Sequence, residues 1–161
     1  MNAIKLFLLL AFIAVFSFGQ EAKIVKLLNE QFRSEQKMYE PYEEEKPEMI
    51  QPFQIENGIL SFEFKYSGKG KETHFRRQVH LANVVRLDKD INVILISEND
   101  GVLETINVFG ENQELISEQQ IEHNMFFLEI RKEFGNEKFK NRLLKAFKSA
   151  GYEVSNEYWA D

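Results

Sequence analysis

The sequence predicts an α+β fold: an N-terminal helix, an antiparallel meander of five to six strands forming a curved sheet or roll, and a C-terminal amphipathic helix packed on or plugging the sheet. Three observations predict it. Apolar residues recur at three- and four-residue steps in residues 21–39. The pattern then switches to period two between Met49 and Phe109. A helical stripe returns after Asn136 and stops at Gly151.

The first segment, MNAIKLFLLLAFIAVFSFGQE, reads as a secretory signal peptide. It carries one positive charge at Lys5, an apolar run from Leu6 to Phe16, and small residues Ser17 and Gly19 before a cut at Gln20. Eleven apolar residues fall short of the roughly 20 that a bilayer span needs, so no stable transmembrane segment is expected after processing. A free amino-terminal Gln20 could cyclise. No Cys follows the run, which excludes a lipid-anchored class. The whole chain has no Cys, which excludes a small disulfide scaffold despite the expected export. Removing residues 1–19 leaves 142, enough for one domain with its own core. It also removes Lys5 and no acid, taking the net charge from −6 to −7. That balance argues against a nucleic-acid partner.

Within that domain, residues 20–39 are expected to be a helix with Ile24, Leu27, Leu28, Phe32 and Tyr39 recurring on its packing face. Residues 40–48, EPYEEEKPE, read as an acidic loop bracketed by Pro41 and Pro47. Residues 49–161 hold the curved sheet and closing helix. Pro52 suits an edge strand or a strand start. Asn57-Gly58 signals a two-residue hairpin. Leu60, Phe62, Phe64 and Tyr66 share one strand face, and Phe75, Val79 and Leu81 point inward from the next. Ile91 to Ser97 reads as a central strand, and Asn99-Asp100-Gly101 turns the chain into Val102–Phe109. Residues 110–124 are polar, and a short helix fits Glu114 to Ile121. Met125 to Arg131 reads as the last strand. Asn136 is placed as the N-cap of the closing helix, whose stripe is Phe139, Leu143, Phe147 and Ala150, with Gly151 as the residue that ends it. The aromatic tail, with Tyr152, Tyr158 and Trp159, is expected to fold back and pack.

The order of the meander 51–109, the strand NMFFLEIR and the helix EKFKNRLLKAFKSAGY resembles a pleckstrin-homology-like roll. A leading helix before a curved meander is also similar to cystatin-like and NTF2-like sheets. The signal and the lack of Cys together resemble small exported proteins of Gram-negative bacteria, which implies a compartment and no particular activity.

Candidate chemistry centres on THFRRQVHL. On a strand, His74, Arg76, Gln78 and His80 share one face and offer a ligand or partner surface, with a solvated strand face as the plainer reading. The two imidazoles cannot share a metal. Six strand residues separate their Cα atoms by roughly 20 Å, whereas ligation needs both nitrogens within about 2 Å of the ion. Arg77 falls on the Phe75/Val79 face and should be buried unless a strand end, a bulge or a Glu partner relieves it. Glu43, Glu44 and Glu45 cluster in the acidic loop, without the spacing of a calcium loop. SGKGKET lacks the phosphate-loop spacing and reads as a hairpin turn. The basic residues of the last helix read as its solvated face. His123 is the freest histidine and could pair with a Glu. No Cys nucleophile, G-x-S-x-G, H-E-x-x-H or dinucleotide fingerprint occurs, so no cofactor or metal is expected and catalytic residues are not assigned.

The resulting expectation is an exported, non-catalytic binding domain of the bacterial cell envelope, periplasmic or released, whose partner is a protein, a peptide or an envelope component. Two alternatives stand beside it: a small hydrolase or isomerase using Glu and His in a curved-sheet pocket, and an inhibitor or immunity-type protein whose acidic 40–48 segment meets a basic target.

Overall fold

A computed structural model describes residues 3–37, 46–68, 70–132 and 135–160, with side chains from residue 19 onward. The class is α+β, with a helix at each end and a mostly antiparallel arrangement of eight strands in two sheets. The expected acidic cluster Glu43, Glu44 and Glu45, and Tyr39 of the expected helix, lie outside the described residues.

Helix α1 runs from Ala3 to Gln36 without a break at Gly19. Its stripe of Ile24, Leu27, Leu28 and Phe32 is buried, as the periodicity requires. Two polar side chains also face inward. Asn29 donates to the Phe53 carbonyl (2.9 Å) and accepts from the Phe53 N–H (3.0 Å). Its amide thus satisfies both backbone groups of a buried residue on β1 (Glu48–Glu56). Glu35 accepts from the backbone N–H groups of Arg131 (2.6 Å) and Lys132 (3.1 Å), and from Gln31 (2.8 Å).

The larger sheet has the order β1, β2 (Ile59–Gly68), β3 (Lys71–His80), β6 (Val102–Phe109), β7 (Leu115–His123). The β1–β2 hairpin turns on Asn57 and Gly58, both at positive φ (53° and 75°), the geometry that makes an Asn-Gly pair favourable there. Strands β1 and β2 lose register twice, between Met49 and Gln51 and between Gln51 and Gln54, around Pro52. Strand β2 supplies the centre of the core. Phe62 stacks on Phe53 at 4.0 Å between ring centroids, and Phe64 stacks on Phe75 at 5.1 Å.

The meander expected as one sheet divides after β3. Residues 84–89 form β4 (Val84–Lys89), which was not anticipated as a strand, and pair with β5 (Val93–Ser97) in a second, three-stranded sheet. Strand β5 is central there, as its apolar run implied, with β8 (Met125–Phe127) on its other side. The last strand is shorter than the expected Met125–Arg131. Pairing with Val93 continues through the Leu128 N–H (3.0 Å) and the Ile130 carbonyl (2.9 Å), and Glu129 bulges between them at φ 53°.

The helix expected over Glu114–Ile121 is a strand instead. β7 pairs antiparallel with β6 from Val102↔His123 to Phe109↔Leu115. The residue types suit a helix, but no apolar stripe recurs at helical spacing, so tertiary packing has nothing to reward. The ladder against β6 satisfies the backbone instead.

Helix α2 (Glu137–Ser149) buries Phe139, Leu143, Ala146 and Phe147. Gly151 (φ 89°) ends it: its N–H meets the Lys148 carbonyl (3.1 Å) and that of Tyr152 meets the Phe147 carbonyl (3.0 Å), a Schellman closure. Asn136 holds the N-cap position but makes no side-chain cap bond. Its amide joins Lys132 (2.8 Å) and the Trp159 indole (2.9 Å). The tail packs through Tyr152 and Trp159, as expected, while its Tyr158 is exposed. It lies parallel to β4, with Leu87 N to Ser155 O at 2.9 Å and Lys89 N to Tyr158 O at 3.1 Å.

Candidate functional site

Strand pairing sets the most polar interior of the molecule. Phe62, Arg77, Glu104 and Ile121 lie in one cross-strand row on the inward face of β2, β3, β6 and β7. Arg77 is therefore buried, 7% exposed, and meets Glu partners as its face demanded. Its guanidinium donates through Nε to Glu104 and through Nη1 to Glu129 Oε1 (2.6 Å) and the Phe127 carbonyl (2.7 Å). It also sits over the Phe64 ring, 4.8 Å from the centroid. Glu129 Oε2 accepts from Tyr66 (2.8 Å) and from Arg131 Nη2 (2.8 Å). Burial, and then the neighbouring Glu129 carboxylate, push the Tyr66 phenol above its usual range, so it remains a donor.

Two carboxylates and two guanidiniums thus balance in charge, and the cluster joins the two sheets: Arg77 and Glu104 come from the larger, while Phe127 and Glu129 come from β8 and the bulge after it. Glu129 reaches Arg77 because the bulge turns its residue into the left-handed region, a conformation that costs a non-glycine residue about 1–2 kcal/mol.

His123, the last residue of β7, approaches this cluster. Its Nε2 lies 3.8 Å from Glu104 Oε2. Its Nδ1 accepts the Met125 N–H (3.2 Å), so the neutral ring carries its proton on Nε2, toward the carboxylate. The imidazole thus stands at the rim of the sheet, held by the Met125 N–H and close to the Arg77–Glu104 pair. The carboxylate nearest His123 is Glu104, at 3.8 Å, beyond hydrogen-bond length.

The other predicted face is also real but differently occupied. His74, Arg76, Gln78 and His80 share the outer face of β3 and each has a place in the register opposite β2. His74 Nε2 bonds Glu72 Oε2 (3.1 Å), and its ring lies 4.6 Å from that of Phe109. Arg76 pairs with Glu63 across the strands at 3.2 Å. His80 accepts the Ala82 N–H through Nδ1 (3.3 Å), capping a 3-10 turn at Leu81–Asn83. These contacts form a cross-strand ladder rather than a convergent site. Among the described residues, no group of three His, Cys, Asp or Glu side chains is arranged to hold a metal ion, and no helix is long and apolar enough to cross a membrane.

Sequence reasoning singled out Arg77 and His123 but not Glu104, Glu129, Tyr66 or Glu35. Glu104 carried a signal: it stands between Val102 and Ile106 on the apolar face of β6, the complement of Arg77 on β3. No protein-family model, curated protein or solved structure matches the chain.

Proposed function

We propose that the chain is an exported, non-catalytic binding domain of the cell envelope, working after removal of residues 1–19 and recognising a protein, a peptide or an envelope component. The observation that carries this reading is the internal use of the buried ionisable cluster. Arg77, Glu104, Glu129 and Tyr66 each bond to one another or to backbone, and they hold the two sheets together. A group spent on structure is a poor nucleophile or shuttle, and recognition then falls to the surface. Export is supported by the signal pattern of residues 1–19. A cut before Gln20 leaves Glu21, which accepts from Tyr152 (2.5 Å), in the first turn of the helix, where an acid is favoured.

The test combines fractionation with capture. The native product should be recovered from the exported fraction with the mass of residues 20–161. Immobilised on beads, it should retain a specific component of an envelope extract that a surface-charge-reversed control does not. Protein bearing Met1 in the cytosolic fraction, or capture no better than the control, overturns the reading.

The His123–Glu104 pair favours a second reading, a small hydrolase or isomerase using Glu and His at the sheet rim. That reading requires turnover in a screen of ester, amide and glycoside substrates, abolished by His123→Ala with the fold intact.

A further inference from the structure

The edges of the sheets are treated unequally. Strand β1, at one end of the larger sheet, is interrupted by Pro52 and two register shifts, and Asn29 of α1 occupies the backbone of Phe53. In the smaller sheet, β4 is covered by the C-terminal tail. These are the usual ways in which a protein blunts an edge that would otherwise pair with another chain. Strand β7 has a single register shift, at its start where Val108 pairs with Ser117 and Phe109 with Leu115, and is otherwise regular and uncovered. It is nine residues long, contains no Pro, and has no strand beside it on its outer side among the described residues. Leu115 to Gln120 are all exposed, and Leu115 and Ile116 are 54% and 52% exposed at its start.

The edge is also charged with one sign. Residues 110–124 hold four Glu and no Lys or Arg. Glu118 and Glu122 point to the same outer face, with Gln120 between them, because alternate strand residues share a face. We infer that the outer edge of β7 is a docking site for an extended basic segment of a partner protein, which adds to the sheet as a sixth strand with Lys or Arg at positions four apart, opposite Glu118 and Glu122. Backbone ladder bonds supply affinity in such an addition, and the side-chain alternation supplies selectivity. A second copy of this chain is a worse occupant. Antiparallel self-pairing centred on Gln119 sets Glu118 opposite Gln120 and Glu122 opposite Ile116, placing four carboxylates on one face with no cation. Centring on Gln120 sets Glu118 directly against Glu122, a repulsive cross-strand pair.

This inference rests on the binding reading above and names its site and partner chemistry. It is tested on the full chain without its signal segment, against a synthetic nine-residue peptide of alternating Thr and Val with Lys at two positions four apart. Two control peptides accompany it: the same sequence N-methylated at alternate residues, and the same sequence with Glu for Lys. The unmodified peptide should bind, weaken with added salt, and slow amide exchange over residues 115–123. N-methylation, the Glu peptide and the double variant Glu118→Lys/Glu122→Lys should each weaken binding by at least about tenfold. The N-methylated peptide leaves the protein unaltered, so its result stands whatever the variant does to the fold. Binding that N-methylation does not change, protection elsewhere, or no binding overturns the inference. So does a concentration-dependent dimer that protects 115–123 without peptide. If envelope capture persists in the double variant while the peptide fails, the docking site is wrong and the binding reading stands.

Discussion

Arg77→Met would leave Glu104 buried beside a thioether, while Glu129 keeps Arg131 and Tyr66. Removing one partner of a buried ion pair costs about 3–5 kcal/mol, because the charge left behind is poorly solvated and has lost its partner. Urea denaturation at pH 7 should show a loss of that size, and adding Glu104→Gln to the same chain should recover part of it. A loss below about 0.5 kcal/mol, the size of an ordinary surface change, would mean that the cluster does not hold the sheets. Arg77 was legible as an anomaly, a cation on an apolar face, and so was Glu104 in the next paired strand. Glu129 was not. In a regular strand through FFLEIR it would face away from Phe126, Leu128 and Ile130, and only the bulge turns it inward. Glu72 gives a second, pH-dependent test. Hydrogen bonds from Lys65 and then His74 hold its carboxyl down to about 2 from the ordinary 4.5. Between those values the unfolded state binds the extra proton, so the contribution is present above about 4.5 and is lost as pH falls toward 2. Glu72→Gln should flatten the acid limb of the urea midpoint between pH 6 and 2. Superimposable limbs for the two proteins would refute that role.

At the scale of elements, α1 is held by chemistry that its apolar stripe does not announce. Its stripe runs Ile24, Leu28, Phe32, and the next position at helical spacing is Glu35, a charge where another Leu would be expected. That substitution was a readable sign that the helix end meets backbone donors, and Arg131 and Lys132 supply them. Asn29 is the stronger case, since one amide replaces a missing strand beside Phe53. Asn29→Ala strands a buried N–H and a buried carbonyl, and each orphaned group costs about 1–3 kcal/mol. Thermal unfolding of the variant should fall well below the parent, whereas Asn29→Asp, which keeps one acceptor, should fall less. Equal transition temperatures for all three would show that β1 needs no such bridge. The division into two sheets was less legible for a related reason. Val84–Lys89 alternates weakly, and its pairing is decided by distant partners, β5 and the tail, rather than by local pattern.

Over the whole molecule, the two sheets share one core but end in edges of different fate, and the C-terminal tail is what separates a covered edge from an open one. Ser155 exchanges backbone hydrogen bonds with Val85 and Leu87, and Lys89 does so with Tyr158 and Ala160. The Trp159 indole binds Asn136, and Lys140 lies over its ring at 5.3 Å, so the tail also ties β4 to the start of α2. Asp88 Oδ1 accepts from the backbone of Glu157 and Tyr158 at 3.2 Å, and Arg86 bonds Glu157 at 2.7 Å. Deleting residues 153–161 therefore removes a strand partner and uncovers the β4 backbone at the same moment. An unpaired strand of Val, Leu and mixed charge has the character of an associating edge, unlike the single-sign edge of β7. The truncated protein should unfold at lower urea and should sediment as concentration-dependent oligomers. Asn136→Ala in the full chain, which loses the indole and Lys132 bonds but leaves the tail paired with β4, should lower stability while remaining monomeric. If the truncated protein stays monomeric at high concentration, the tail braces α2 and does not shield the sheet. The unequal treatment of edges, on which a docking role for β7 depends, would then lose one of its two guarded cases.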